Sequence, residues 1–523
     1  MNKKHGLPLL AALASGALSS AAMCASAAPA AASCAALAKF TVPGHTIKID
    51  KTANVPAGPG PAVRTSAPGT APLLPAHCRV DGVIDARTGR NGRPYGIGFA
   101  LALPANWNGR FFFQGGGGLN GVVNPPYGTQ AAGDTTALAA GFAVVSNDSG
   151  HKGAGFDTTF MEDQEAMLNF LYQANATVTV IAKQMVQKYY GKAPHHSYWV
   201  GCSTGGREAM MMSQRFPTSF DGIVAGAPAI RTNFSNLGLR WGATALNAIA
   251  PKDAQGKPQT RLALSDSDRR LLVNGLLAAC DALDGSKDGF VFAPKSCNFD
   301  PQVLACSGAK NDGCLSNEQI AAVKKVIAGP TTAKGLQVYP GYFYDTGIIE
   351  QRGLPGILVG PVIPEGPASG SSMDVEAEAA RAYDGRQMAG DTNGWTNLST
   401  FNGRGGKLIF YHGVSDPWFS AQETVNYYER LQADNGPAPT STWSRLFLVP
   451  GMGHCGGGER TLDNFDMVSA IVNWVEKNQA PEQVIAKGAS APGETRPLCP
   501  YPAHAQYSGS GDPKLAVSYR CAQ

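Results

Sequence analysis

Ser197-Tyr198-Trp199-Val200-Gly201-Cys202-Ser203-Thr204-Gly205-Gly206-Arg207-Glu208 joins a short apolar run to a helical one across a glycine-flanked serine. Residues 197–201 predict a buried strand, and residues 207–215 continue with helical character. Between them Gly201-Cys202-Ser203-Thr204-Gly205 matches the pattern G-x-S-x-G. A serine on so sharp a strand-to-helix turn sits in strained backbone, and side chains on the flanking glycines would collide with neighbouring elements. The turn exposes the Ser203 oxygen and sets the N–H of Thr204 at a helix N-terminus, where negative charge is favoured. The pentapeptide alone says little in a Gly-rich chain. Its strand–turn–helix setting says more.

Outward from this turn, strands are predicted at 95–103, at 110–113 (ending in Gly115-Gly116-Gly117-Gly118) and at 141–146, which runs into Asn147-Asp148-Ser149-Gly150-His151. Residues 164–190 have helical spacing, and 221–225 is again a strand. Strands separated by helices imply a mostly parallel sheet with crossover connections. After Pro228 the alternation stops: residues 230–402 hold helical pieces, an acidic cluster at 281–288 and a Gly/Pro-rich stretch at 353–372. A buried strand returns at 407–411 and ends in His412-Gly413-Val414-Ser415-Asp416. The next, 445–449, ends at Gly451-Met452-Gly453-His454, and residues 464–477 follow as an amphipathic helix. The expected fold is an α/β-hydrolase core, a mostly parallel sheet with helices on both faces. Its two parts are residues 28–229 and 404–523, and a large lid domain of residues 230–403 is inserted between them.

A serine hydroxyl is a poor nucleophile at neutral pH and needs a base, and the base needs a carboxylate to fix its tautomer. Asp416 and His454 both follow strand ends, in the order Ser…Asp…His expected of this architecture. Ser203, Asp416 and His454 are therefore the candidate triad. The oxyanion hole would take the N–H of Thr204 and a second donor from the glycine run, Gly118, with Gly117 beside it. That run lacks a following G-K-[ST], which disfavours phosphate binding.

The N-terminus has the three-part build of a signal peptide, residues 1–27: Lys3 and Lys4, an apolar stretch from Leu9 to Met23, and a small-residue cleavage site at Ala25-Ser26-Ala27. Cys24 offers lipidation as an alternative, disfavoured by the bulky Met23 before it. No other stretch approaches the ~18 consecutive apolar residues of a spanning helix. A secreted or periplasmic location is expected, with no membrane span. The 43 basic and 39 acidic residues are scattered, which excludes a phosphate-tracking surface and argues against nucleic acid as partner. Eleven cysteines less Cys24 leave ten, an even number suited to an oxidising compartment. Proximity in sequence suggests Cys34–Cys78, Cys280–Cys297, Cys306–Cys314 and Cys499–Cys521. Cys202 and Cys455 are left to pair or stay free. They adjoin the proposed nucleophile and base, so if Ser203 meets His454 these cysteines lie close enough to join. A bond closing so long a loop is worth ~4 kcal/mol in the chain-entropy model.

With these residues in place the chain resembles the tannase/feruloyl esterase family. The likeness rests on the stretch 201–208, on Phe220-Asp221-Gly222-Ile223-Val224-Ala225-Gly226-Ala227-Pro228, on the stretch 411–416 and on Pro450-Gly451-Met452-Gly453-His454-Cys455. It covers nearly the whole mature chain, including Arg496-Pro497-Leu498-Cys499-Pro500-Tyr501-Pro502. The resemblance implies a Cys-Ser…Asp…His-Cys arrangement with a disulfide beside the triad, and hydrolysis of esters of aromatic acids: ferulate, gallate, chlorogenate or terephthalate monoesters, free or on a plant polymer. The segment between Tyr344 and Gly403 looks shorter than in the family's terephthalate hydrolases, and their lid motif with its carboxylate-binding arginine is missing. Feruloyl- and galloyl-type esters therefore lead, with terephthalate monoesters or other small aromatic esters as the alternative. A non-catalytic polyphenol-binding protein on this scaffold is the remaining rival. The resemblance also implies a structural Ca²⁺ in the lid, held by Asp281, Asp284 and Asp288 and the carbonyls of Ser286 and Phe290, and no organic cofactor. Hard oxygen ligands at this density suit Ca²⁺, although the spacing is not that of an EF-hand.

Phe419, three residues after Asp416, is a candidate wall of the acyl pocket. His151 precedes the nucleophile and has no adjoining cysteine, which makes it structural. The pair His195-His196 lacks a third ligand nearby in sequence, which argues against zinc.

Overall fold

Runs rich in β-branched and aromatic residues, joined at one edge by the polar strand Ile47–Val55, assemble into one nine-stranded sheet in the computed structural model. Residues 32–60, 73–360, 370–383 and 385–523 are described. The expected signal segment, residues 1–27 with Cys24, lies outside them. The strands are β1 (Ile47–Val55), β2 (His77–Thr88), β3 (Pro94–Pro104), β4 (Arg110–Gln114), β5 (Ala143–Asn147), β6 (His196–Cys202), β7 (Gly222–Gly226), β8 (Lys407–Gly413) and β9 (Ser444–Val449). Their order is β1-β2-β3-β5-β4-β6-β7-β8-β9. From β5 to β9 neighbours are parallel, whereas β1, β2 and β3 form an antiparallel edge. This is the α/β-hydrolase architecture, with β1 and β2 added ahead of the expected strands.

Helices cover both faces, as a parallel sheet requires. On one, α1 (Ala174–Tyr190) and α2 (Thr204–Arg215) bury Val178, Ile181, Met185, Met210 and Met212 against Phe111, Phe113, Trp199 and Ile223. On the other, a helix at Met467–Lys477 sets Ile471 and Trp474 against Tyr198, Val224 and Ile409. Each such side chain removed from water contributes about 1.5–3 kcal/mol.

Two expected helices are shorter than their apolar spacing predicts. The helix expected over 164–190 divides into Gln164–Leu168, a π-turn at Asn169–Gln173 and α1. The buried Arg207 guanidinium donates to the carbonyls of Leu171 at 2.8 Å and Phe170 at 3.1 Å, drawing both out of the regular ladder. The helix expected from 464 starts at Met467, because the Asp466 side chain caps it and Asn464–Phe465 pairs as a strand.

β7 and β8 are hydrogen-bonded neighbours, yet the chain between them makes a long excursion with no strand among the described residues. Its helices α3 (Thr232–Asn247), α4 (Asp266–Cys280) and α5 (Asn317–Ala328) build a separate core from Leu239, Leu246, Leu272, Leu276, Val323 and Val326. Capping boxes at Ser265/Asp268 and Ser316/Gln319 fix where α4 and α5 begin. All five expected disulfides form: Cys34–Cys78, Cys202–Cys455, Cys280–Cys297, Cys306–Cys314 and Cys499–Cys521. Among the described residues no helix is long and apolar enough to cross a membrane.

Candidate active site

The turn between β6 and α2 holds Ser203 at φ 65° and ψ −124°, a conformation that L-residues adopt only under constraint. The Ser203 N–H donates to the Gly226 carbonyl at 3.0 Å, and its own carbonyl accepts from Arg207 and Ala229 at 3.0 and 3.1 Å. The flanking glycines are required by space. A Cβ on Gly201 would stand 2.6 Å from the Gly205 carbonyl, and one on Gly206 would stand 2.3 Å from the Gly226 carbonyl.

The glycine run lies directly against this elbow. A Cβ on Gly115 would approach the Gly205 Cα to 2.9 Å, and the Thr204 hydroxyl donates to the Gly118 carbonyl. Gly118 has φ +57°, which a side chain would strain. The Gly115 N–H is bonded to Val200 and that of Gly116 to the Glu208 carboxylate. The N–H groups of Gly117, Gly118 and Thr204 make no hydrogen bond among the described residues.

β8 delivers Asp416 and β9 delivers His454. Asp416 Oδ2 accepts from His454 Nδ1 at 2.7 Å and lies 3.3 Å from His412 Nε2. Its Oδ1 accepts the N–H groups of Trp418 at 2.8 Å and Phe419 at 3.1 Å. Complete burial alone would push this carboxyl up, but the adjoining His454 and His412 outweigh it and hold Asp416 far below the usual carboxylate range. With His454 Nδ1 committed to Asp416, Nε2 is the nitrogen left for chemistry.

The Cys202–Cys455 bridge, with Cα atoms 6.0 Å apart across 253 residues of sequence, ties the elbow to the His454 loop. Ser203 and His454 consequently line one cavity of about 910 Å³. Glu350, Arg352 and Leu354 bring the excursion to its wall, which Gly117 and Gly118 also line. Arg352 is engaged with Glu350 at 3.1 Å.

Several supports carried no sequence signal as such. His412 and Glu208 lie inside motifs quoted above and Asp345 in none, and only their partners give them roles. Asp345, buried in the excursion, accepts from the Ser415 hydroxyl at 2.6 Å and the Gly451 N–H at 2.7 Å, tying the acid loop to the base loop. Phe419 requires a correction. It is not part of the cavity wall; its ring is 4% exposed, sits in the core of the excursion and packs 5.2 Å from the His454 ring. His151 is buried and stacked on Phe160 at 3.6 Å, and burial lowers its imidazole to about 4, in keeping with a structural role.

The acidic loop lies apart from this cavity. Asp281 accepts from the N–H groups of Asp288 and Gly289, Asp284 from that of Ser286, and Asp288 from that of Phe290. Arg496 reaches Asp288 from the C-terminal segment. The second oxygen of Asp284 is buried with no hydrogen-bond partner, and burial pushes its carboxyl up to about 7. An orphaned carboxylate oxygen among hard donors fits a calcium-type cation. His195 and His196 also require correction. They have a third potential ligand in Glu476, which the fold brings beside them from the helix Met467–Lys477. Arg110 and Tyr198 already occupy that carboxylate, at 2.6–2.7 Å, so the trio makes a poor cation site.

Comparison with known proteins gives the family and the fold. The profile of the family described as tannase and feruloyl esterase matches residues 78–373 and 370–522. The mono(2-hydroxyethyl) terephthalate hydrolase of Piscinibacter sakaiensis is 39% identical, over 88% of this chain and 87% of its own. The probable feruloyl esterase B-2 of Aspergillus terreus is 32% identical, over 80% and 82%. The crystal structure of feruloyl esterase B from Aspergillus oryzae superposes with a TM-score of 0.76 at 26% identity, covering 94% of this chain and 99% of that one. The tannin acyl hydrolase of Aspergillus niger shares the fold, with a TM-score of 0.69 at 22% identity over 91% and 92%. The chain therefore belongs to the tannase and feruloyl esterase family and is a carboxylic ester hydrolase.

Proposed function

We propose that the protein is an exported serine esterase acting on esters of aromatic acids through Ser203, His454 and Asp416. The observation that carries this is the convergence of Ser203 and the His454–Asp416 pair on one cavity, with Cys202–Cys455 clamping their loops. Ser203 Oγ attacks the ester carbonyl while His454 Nε2 takes its proton, and Asp416 stabilises the imidazolium. The N–H groups of Thr204 and Gly118, with Gly117 adjacent, receive the developing oxyanion; one such donor is worth about 100- to 1,000-fold in rate. The alcohol leaves with the proton from His454, and water repeats the sequence to release the acid.

Residues 230–403 serve as the lid, and its wall bears on the substrate. Arg352 is neutralised by Glu350, which favours an uncharged feruloyl- or galloyl-type ring over a terephthalate carboxylate. The 39% identity to a terephthalate monoester hydrolase supports the second reading. Calcium at Asp281, Asp284 and Asp288, with the Ser286 and Phe290 carbonyls, would brace the lid without entering the chemistry; its support is the orphaned Asp284 oxygen. Five disulfides favour an oxidising compartment outside the cytoplasm.

Ser203→Ala is expected to lower turnover by several orders of magnitude while leaving the circular dichroism spectrum unchanged; retained esterase activity in that variant rejects the triad. A panel of methyl ferulate, methyl gallate, chlorogenate and the terephthalate monoester ranks the acyl groups.

A further inference from the structure

Glu208 lies on α2 five positions after Ser203, and at 1% exposure its carboxylate points beneath the glycine run. A carboxylate sealed from water is costly unless hydrogen bonds replace its hydration. Here Oε2 accepts the Gly116 N–H at 2.9 Å, and Oε1 accepts Asn120 Nδ2 at 3.0 Å and the Ser149 hydroxyl at 3.4 Å. Arg207, buried beside it, adds an attractive charge.

These contacts fix more than local packing. Asn120 and Ser149 both hold positive φ, 51° and 64°, in separate loops after β4 and β5, and they are hydrogen-bonded to each other. The Asn120 N–H closes the turn on the Gly117 carbonyl at 3.0 Å. Gly116 cannot carry a side chain, because its Cβ would stand 2.2 Å from the Asn120 amide. With Gly115 bonded to Val200 and Gly116 to Glu208, the next two N–H groups are the ones left for the cavity. The helix whose first N–H belongs to Thr204 thus also carries the side chain that sets the aim of Gly117 and Gly118.

We propose that Glu208 is the positioning residue of the oxyanion site: it references the glycine-run donors to the same helix that supplies the Thr204 donor. The proposal rests on Ser203 being the nucleophile and the Gly118 N–H an oxyanion donor. A misaimed donor loses transition-state binding while ground-state binding is spared, so its signature is a fall in kcat at constant KM.

The test compares Glu208→Ala and Glu208→Gln with the full-length enzyme, using a p-nitrophenyl ester of ferulic acid and phenylboronic acid as a tetrahedral mimic. For Glu208→Ala, kcat is expected to fall about 10- to 100-fold with KM within about threefold, and boronate affinity to fall by the same factor as kcat. Glu208→Gln keeps an acceptor for Gly116, and Asn120, whose Oδ1 is buried without a partner, can turn its amide to meet the new NH₂. Its kcat is expected within about fivefold of wild type. If Glu208→Ala does not fold, Asn120→Ala, which removes the clamp from the loop side, takes its place with the same criteria. Wild-type kcat and boronate affinity in the folded variant overturn the proposal, as does a loss equal in the Ala and Gln variants and carried by KM. Failure of the wild-type enzyme to bind boronate, or to be labelled at Ser203 by a fluorophosphonate, instead overturns the catalytic assignment beneath it.

Discussion

Asp416 at the end of β8 and Asp284 in the acidic loop are both sealed from solvent, and their surroundings drive them in opposite directions. Asp416 meets two imidazoles and two backbone N–H groups, and these hold it ionised against the effect of burial. Asp284 receives one N–H, faces Asp281 and Asp288, and is pushed up to about 7 by burial, with the two like charges adding to the rise. The difference teaches that burial by itself assigns no role to a carboxylate. One whose oxygens are all met by donors is a finished anion that can steady a neighbouring cation during catalysis. One left with an orphaned oxygen has an unmet demand, answered by a proton or by a metal ion.

That contrast can be broken most sharply at Asp416. Asp416→Asn removes the anion while keeping the shape, and kcat is expected to fall by about 10,000-fold in steady-state assays, with KM little changed. Next comes the clamp that brings this anion's histidine to the serine. Replacing both Cys202 and Cys455 by serine is expected to cost about 2–5 kcal/mol in chemical denaturation and to reduce kcat as the two loops separate.

At the acidic loop the expected effects are smaller and fall on stability. Chelation of the calcium-loaded protein is expected to lower Tm by a few degrees, corresponding to about 2.7 kcal/mol for an ion present at a hundred times its Kd, with initial turnover unchanged. Turnover falling in step with metal removal would join the two regions and end the contrast. The smallest effect is a pH dependence. In the ion-free protein the folded Asp284 titrates at about 7 against an ordinary 3.8, so the fold binds the extra proton. Stability from this group is therefore present at low pH and lost as pH rises through about 7. Asp148, raised to about 7 by burial, and Asp345, raised to about 6, give slopes of the same sign with or without the ion. The gain in Tm on adding calcium, measured across pH 5–8, is thus expected to grow with pH, and Asp284→Asn is expected to flatten it.

Much of the candidate site was legible in the sequence, for identifiable reasons. Strand and helix periodicity are local, so β6 and α2 could be read around Ser203, and the glycines between them report a close approach that tolerates no Cβ. The strand ends at Asp416 and His454 follow from equally local patterns. The cysteines beside Ser203 and His454 hinted that two loops 253 residues apart meet, and the structure joins them. The interrupted helix at 169–173 was not legible, because the cause is Arg207 on another element. The burial of Phe419 was hidden likewise: an aromatic three residues after Asp416 suits a pocket or a core equally, and the neighbouring excursion decides.

The sequence by itself determined the elbow, the order of the three candidate triad residues and the acidic loop, and narrowed the cysteine pairing, since each depends on residues close in the chain or on a distinctive side-chain chemistry. Only the tertiary structure decided which carboxylates are satisfied. His412 and His454 meet Asp416, Glu208 grips the glycine run from 92 residues away, Arg496 reaches Asp288 across 208, and Arg110 claims Glu476 across 366. The physical reason is that a carboxylate's charge state is set by the donors around it in space, and chains that distant in sequence leave no periodic trace of their meeting.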